Sequence, residues 1–380
     1  MSSADTISTA VARSNIQVAR VLNRIRRLGL QVSLEKTEAI VFYGKNKPPR
    51  IVRLNVDGKD IEAKPTLKYL GIMLDGRLNF RPHFEYVENK IAKVNRALGR
   101  LMPNLRGPNE SKRKLYAQVV LSILLYGAPI WNEAFMASKS SQIIINRVLR
   151  TLAIRVVSGY RTISLDAALL LARIPPVYLL ANARRRVYDR VKDLWNSNRW
   201  SKKAESEIKV DENLLLYRQW EVYCENPNLA GARTRDAILP HFQEWIGRKH
   251  GNISFRITQL LTGHGCFGTY LYRIGKVPEP YCEHCNVQNE EDSPEHTLED
   301  CKAWEENRNK LCEKLEVNLD MLTLEKLIQQ VLHSKGKWEA LAEFANTVML
   351  RKEVAERARQ EEEARRVNNT LPDGSGSEDS

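Results

Sequence analysis

Residues 82–101, PHFEYVENKIAKVNRALGRL, decide how the chain is read. Phe84, Val87, Ile91, Val94, Leu98 and Leu101 recur at alternating steps of three and four, so they line one stripe of an α-helix. Lys90, Lys93, Arg96 and Arg100 lie off that stripe, which predicts a packed helix with a basic outer face. Upstream the pattern differs. Ile7, Val11, Val18, Val21, Leu22, Ile25 and Leu28 are mostly at helical spacing, and Gly29 follows where a C′ glycine stops a helix. Short β-rich runs come next, Ala39–Tyr43, Ile51–Val56 and Leu67–Leu74, parted by the turn formers Gly44, Pro48–Pro49, Asp57–Gly58 and Pro65. The Asp57–Gly58 pair signals a hairpin. The first 80 residues thus predict a helix followed by a small antiparallel sheet.

Downstream the chain reads as helices. One covers roughly 110–126 and ends before Gly127-Ala128-Pro129; two more are Ile143–Val157 and Pro176–Trp195, the latter holding Arg184-Arg185-Arg186. Residues 197–235 are polar and mixed in charge, a connector with a helix around Glu212–Cys224. Residues 338–366 form helix and then become densely charged, and Asn368–Ser380 is too rich in Gly, Ser, Asp and Glu to build a core, which predicts a disordered tail from 367. The class is α+β, mainly α.

The formal net charge is +13; residues 351–380 hold six Lys/Arg against eight Asp/Glu, so the preceding residues carry +15. A basic body of this kind points to a polyanion, because Lys and Arg bound to phosphates release counterions. A solvated basic surface gives the same count. No apolar run reaches the roughly 18 to 20 residues that span a bilayer, and the stretch after Met1 lacks an apolar leader. The expectation is an intracellular chain, nuclear and cytoplasmic, with no membrane partner.

Three of the six cysteines cluster in Cys282-x2-Cys285-x10-His296-x4-Cys301. Three thiolates and an imidazole are a tetrahedral ligand set for Zn²⁺, and four protein ligands leave no open position, so the expected zinc is structural. Ser293 reads as an N-cap with Pro294 at N1, which places His296 in the first turn of a helix. An ideal helix would turn Cys301 about 140° away from His296, so if both bind the helix must distort or break between them. His284 is a competing ligand that would more often point outward. Cys224, Cys266 and Cys312 fall outside the spacing and read as core thiols. The alternative for the cluster is a set of buried reduced thiols.

Several collinear segments resemble the polymerases of arthropod non-LTR retrotransposons. Gly29-Leu30 followed by Leu34-Glu35-Lys36-Thr37-Glu38 resembles the reverse transcriptase motif that follows the catalytic aspartates. Leu67-Lys68-Tyr69-Leu70-Gly71-Ile72 with Leu74-Asp75 resembles the primer-grip region. Leu125-Tyr126-Gly127-Ala128-Pro129-Ile130-Trp131 and Tyr160-Arg161-Thr162-Ile163-Ser164 are similar to thumb segments, and Gln259-Leu260-Leu261-Thr262-Gly263-His264-Gly265 precedes the cysteines as in the C-terminal domains of these elements. The resemblance implies the C-terminal part of a palm over 1–80, a helical thumb over 81–200, a helical connector over 201–258, a CCHC zinc knuckle over 259–310, C-terminal helices over 311–366 and the tail over 367–380. By the same resemblance Lys36 would face the triphosphate of an incoming nucleotide, and Tyr69, Leu70 and Gly71 would position a primer end. A solvated loop lysine and a strand glycine beside a bulge are the plainer readings. Lys90, Lys93, Arg96, Arg100, Lys112, Arg113 and Lys114 would meet the phosphates of RNA, DNA or an RNA–DNA hybrid. At the knuckle Tyr270 and Arg273 would stack on bases and hold phosphates; tyrosine packing beneath a small zinc fold is the alternative.

A departure from the family matters as much. Its polymerases hold two Mg²⁺ ions with an early aspartate and an adjacent Asp-Asp pair, and this sequence contains no Asp-Asp pair. The residue at Met1 corresponds to a point just past that motif. The expectation is a fragment of an RNA-directed DNA polymerase that has no catalytic residue of its own, retains RNA or hybrid binding, and would use Mg²⁺ only within a complete polymerase. Its rivals are a subunit that complements a separately encoded fingers–palm piece, and a repurposed or decayed interaction protein.

Overall fold

A computed structural model describes residues 3–44, 46, 51–285 and 287–370, with 367–370 as backbone only. It is mainly helical with small sheets, in keeping with an α+β class weighted to α. The order begins with α1 (Ile7–Arg27), β1 (Ala39–Ile40), β2 (Arg53–Val56), β3 (Lys59–Lys64), β4 (Thr66–Tyr69) and β5 (Ile72–Asp75). Helices α2 (Arg81–Leu101), α3 (Glu110–Leu124), α4 (Ala128–Ala137), α5 (Lys139–Val156), α6 (Leu165–Ala172), α7 (Val177–Asn196) and α8 (Lys202–Cys224) follow. The rest is α9 (Ala232–Ile238), α10 (Phe242–Gly247), α11 (Phe255–Thr262), α12 (Gly268–Arg273), α13 (Pro294–Glu299), α14 (Glu305–Leu315), α15 (Leu324–His333) and α16 (Lys335–Thr370). Residues 367–370, assigned by composition to the tail, are thus the last turn of α16; the remainder of that predicted tail, 371–380, lies outside the described residues. Among the described residues no single helix is long and apolar enough to cross a membrane.

The chain forms two compact units, each discontinuous in sequence. The first comprises Met1–Val94, Leu121–Val148 and Val177–Asn213. Its sheet is mixed where an antiparallel one was expected: β3 pairs antiparallel with β2 and parallel with β1. The hairpin at Asp57–Gly58 is present, with Val56 opposite Lys59 and both turn residues at positive φ, as a two-residue primed turn requires. The run Leu67–Leu74, which reads as one strand, is instead the hairpin of β4 and β5. Tyr69 pairs with Ile72, and Leu70 and Gly71 form the turn at φ 45° and 87°. The plain reading of Gly71 as a bulge neighbour therefore gives way to a turn that needs a glycine.

This unit's core gathers on α2 and α4. Phe84 is edge-on to Trp131 at 5.4 Å and lies 5.2 Å from Phe135, and Val87 and Ile91 continue the buried stripe. Farther along the stripe burial fades, and Leu101 is exposed. The Arg184-Arg185-Arg186 run on α7 is largely internal wiring. Arg184 donates to the Leu125 carbonyl just past α3, Arg185 to the Pro129 carbonyl, and Arg186 pairs with the buried carboxylate of Glu212.

The second unit comprises Asn95–Val120, Leu149–Pro176 and Leu214–Ser380. Helix α6 is capped by Ser164, whose hydroxyl accepts from Ala167 N–H, and buries every side chain from Ala167 to Ala172. Ser254 caps α11 in the same way, and Gly263 ends it in the left-handed conformation. Helix α11 packs along α16, where Phe267, Tyr270 and Met349 form a buried cluster.

Candidate metal centre and cationic surface

Four side chains converge in the second unit. The ligand atoms of Cys282, Cys285, His296 and Cys301 lie within 4.8 Å of one another, and all four residues are buried. Local sequence chemistry sets their positions. The backbone returns on itself so that Cys282 N–H donates to the Glu290 carbonyl at 2.7 Å, with Tyr281 bridged to Glu291. Ser293 caps α13, accepting from His296 N–H at 2.9 Å, with Pro294 at the first position, as its sequence predicts. The helix stops at Glu299. Cys301 then takes an extended ψ of 118° while its N–H donates to the His296 carbonyl at 2.7 Å, so the expected break between the two ligands is there.

The distances suit a tetrahedron. Zn–S and Zn–N bonds of ordinary length place two sulfurs about 3.8 Å apart and a sulfur and nitrogen about 3.5 Å apart. Cys282 and Cys301 Sγ are 3.9 Å apart, and Cys285 Sγ lies 3.5 Å from His296 Nε2. His296 Nδ1 is buried without a hydrogen bond, and Glu290 Oε1 lies 3.4 Å away, near enough that a carboxylate turned toward it would orient a metal-bound imidazole from behind. The contact between Cys282 and Cys301 pushes the Cys282 thiol up, with burial adding to it, and holds Cys301 down. His284, the rival ligand, packs its ring 5.1 Å from Trp304 and stays outside the set. Cys224 and Cys312 are buried thiols as expected, and Cys266 is half-buried.

The module is tied down by residues that lie far apart in sequence. Asp292, buried, accepts from Gly268 N–H at 2.8 Å and pairs with Lys352, whose side chain is wholly buried. Arg308 donates to the Cys301 carbonyl. The sequence reading missed these three, and only the polar residue Asp292 beside the ligands was a local hint.

The predicted nucleic-acid residues divide into two groups. Lys90, Lys93, Arg96 and Arg100 are all exposed, as are Lys112 and Arg273. Arg113 is not. It is 2% exposed, and its guanidinium donates to the carbonyls of Pro108, Arg155, Met102 and Pro103. Lys114 is half-buried and paired with Glu110, and burial pulls its pKa down to about 8. Tyr270 is buried, its hydroxyl 2.7 Å from that of Thr162, so its ring faces the core rather than a base. Lys36 is exposed on a short 3₁₀ turn, Leu34–Lys36. Tyr69 and Leu70 are exposed at the β4–β5 turn, where Leu70 C=O accepts from Tyr126 Oη at 2.9 Å. A methyl group on Gly71 would come within 3.0 Å of the Tyr126 ring.

Comparison with known proteins supplies relatives. A Pol polyprotein from the type-1 retrotransposable element R1 of Bradysia coprophila is 26% identical over 312 residues, 75% of this chain and 28% of that protein. A Pol polyprotein from an R1 element of Nasonia vitripennis is 22% identical over 325 residues, 77% of this chain and 79% of that protein. A Drosophila melanogaster protein named as a probable RNA-directed DNA polymerase from transposon BS is 30% identical over 129 residues, 33% of this chain and 14% of its own length. The chain therefore spans little more than a quarter of the Bradysia relative. No family model and no solved structure matches.

Proposed function

We propose that this chain, whose homologues are Pol polyproteins of R1 non-LTR retrotransposons and a transposon polymerase, is the nucleic-acid-binding portion of such an RNA-directed DNA polymerase and does not polymerise on its own. The observation that carries the reading is the buried cage of Cys282, Cys285, His296 and Cys301. Bound there, Zn²⁺ would supply folding energy and no open coordination position, so its chemistry is structural. A metal there would tie Cys282 and Cys285 to His296 and Cys301, and the ion pair of Asp292 with Lys352 fixes the module to α16.

Lys90, Lys93, Arg96, Arg100, Lys112 and Arg273 then serve as phosphate contacts for RNA or an RNA–DNA hybrid, giving affinity without sequence information. Their exposure and the net charge of +13 support that role. The sequence has no Asp-Asp pair to hold two Mg²⁺ ions, which supports a binding role over catalysis.

One experiment tests the binding and metal parts together. Purified chain should hold one zinc per molecule by elemental analysis, and it should bind single-stranded RNA with log K falling linearly against log salt, by about 0.7 per phosphate contacted. Cys301→Ser should lose the zinc and loosen the 281–301 segment to proteolysis. Zinc-free protein with an intact segment, or binding indifferent to salt, would sink the reading. Template-directed nucleotide incorporation by the purified chain would refute the inactive part.

A second reading has its own support. Ile7, Ile16, Val21, Leu28 and Leu30, on and just after α1, are large apolar side chains left exposed. They suit burial against a separately encoded fingers–palm piece, with Lys36 and Tyr69 completing its site. Polymerase activity that appears only when such a piece is added would favour this reading over the first.

A further inference from the structure

Five of the seven tryptophans, Trp131, Trp220, Trp245, Trp304 and Trp338, are at most 4% exposed. Trp195 and Trp200 are 56% and 39% exposed. They stack on each other in the first unit, ring centroids 4.5 Å apart and planes 17° from parallel. An exposed indole pair loses much of the stabilisation that burial gives so large a ring, and surface tryptophans are typical of contact sites rather than of solvated helix ends.

Local hydrogen bonds set the backbone that carries the stack. Trp195 lies in the last turn of α7 and Trp200 just before α8. Between them the backbone closes through Asn198 N–H to the Trp195 carbonyl and Arg199 N–H to the Leu194 carbonyl, with Asn198 left-handed at φ 55°. Ser201 caps α8 by accepting from Ala204 N–H at 3.1 Å, and Trp200 Nε1 donates to Glu205 at 3.1 Å. The two rings are already stacked in the free chain, an arrangement that lowers the entropic cost of association.

The surroundings indicate what binds. From Lys192 to Lys203 the chain carries four cations and one carboxylate, Asp193, while Glu205, which accepts from Trp200 Nε1, is itself paired with Lys209. Lys192 stands three residues before Trp195 on α7, hence on the same helix face, and Arg199 and Lys202 flank Trp200, all three exposed. Flat aromatic faces interleaved with cations match unpaired bases on a phosphate backbone, and a duplex hides its base faces from such a surface. We propose that the Trp195–Trp200 stack is a platform for unpaired bases of a single-stranded nucleic acid, with Lys192, Arg199 and Lys202 holding the flanking phosphates. This rests on the nucleic-acid reading above but uses none of its residues.

The test compares full-length chain with Trp195→Ala and Trp195→Phe on two fluorescein-labelled strands of about 20 nucleotides. One is single-stranded RNA of mixed sequence, the other a ribose-phosphate strand of the same length without bases. Trp195→Ala should weaken binding of the base-bearing strand on the order of 10-fold and leave the abasic strand unchanged. Trp195→Phe, which keeps a ring in the stack, should lose less. Equal weakening on both strands would overturn the platform, because the effect would then run through folding or charge. No weakening on either would assign the stack to the turn or to a protein partner. In both cases salt-dependent binding by the wild type would leave the broader reading standing, whereas no binding of either strand by the wild type would overturn both.

Discussion

Two basic runs that look alike in sequence meet opposite fates. On α2, Lys90, Lys93, Arg96 and Arg100 are exposed, while the apolar stripe of the same helix is buried at Phe84, Val87 and Ile91. On α3, the adjacent cations Lys112, Arg113 and Lys114 are exposed, buried and half-buried in turn. The difference lies in what each helix offers around its charges. Next to α3's cations stands Glu110, 1% exposed, whose carboxylate is shared by Lys114, Arg173 and, at 3.6 Å, Arg248, and accepts from Ile253 N–H at 2.7 Å. Arg113 in turn fills a ring of carbonyls. A cation count reports charge; only the partners report whether that charge is available to a ligand.

The sharpest way to break this contrast is Glu110→Gln. Burial alone would push the Glu110 carboxyl up, but Arg248, Lys114 and Ile253 N–H outweigh it and hold the group ionised. Removing its charge leaves Arg248, itself almost wholly buried against Trp245 and Trp338, without a counter-ion. Breaking such a pair costs about 3–5 kcal/mol. Chemical denaturation should show a loss of that order, and a change under about 1 kcal/mol would mean the carboxylate is solvated and the contrast is false.

The inward side of α2 gives the next largest effect. His83 is 2% exposed, beside Phe84 and Trp131, its Nδ1 accepting from Met73 N–H and its Nε2 without a partner. Burial lowers its pKa from 6.5 to about 4. Below pH 6.5 the unfolded chain takes up a proton that the folded chain refuses, so stability falls as pH drops from 6.5 toward 4 and is fully present above that window. The ceiling is about 3 kcal/mol. Denaturation curves of wild type and His83→Gln between those pH values should converge as pH falls; a constant gap would place His83 in water.

Local features of this molecule were legible and distant ones were not. The four residues of the Cys/His cluster lie within twenty residues of one another, and their helix start, Ser293-Pro294, and helix break are written in the same stretch. The Asp57–Gly58 turn was equally plain, because φ > 0 at two successive positions restricts the residue choice. The Leu70–Gly71 turn was missed because apolar residues continue on both sides of it, and the glycine was the remaining signal. Tyr270 and Lys352 were unreadable for one shared reason. Their partners, Thr162 and Asp292, stand 108 and 60 positions away, whereas Arg113 closes mostly on the carbonyls of the preceding loop, Met102, Pro103 and Pro108, which no side-chain pattern announces. The Trp195–Trp200 stack closes over a five-residue step, short enough to read from the Asn196-Ser197-Asn198 turn between the rings, yet the same sequence would suit two separately buried indoles.

The smallest stability change should accompany the most specific functional one. Lys90→Gln and Lys93→Gln remove solvated charges from a helix whose packing face they do not touch, so unfolding should shift by no more than about 0.5 kcal/mol. If these ammonium groups meet phosphates, each substitution should also flatten the log K against log salt line by about 0.7 for a single strand, whatever its sequence. Arg113→Gln should do the reverse: it strands buried carbonyls and lowers stability, while the salt slope measured on the folded fraction stays at the wild-type value. A salt slope that responds to Arg113 and ignores Lys90 and Lys93 would invert the comparison and place the polyanion on the other helix.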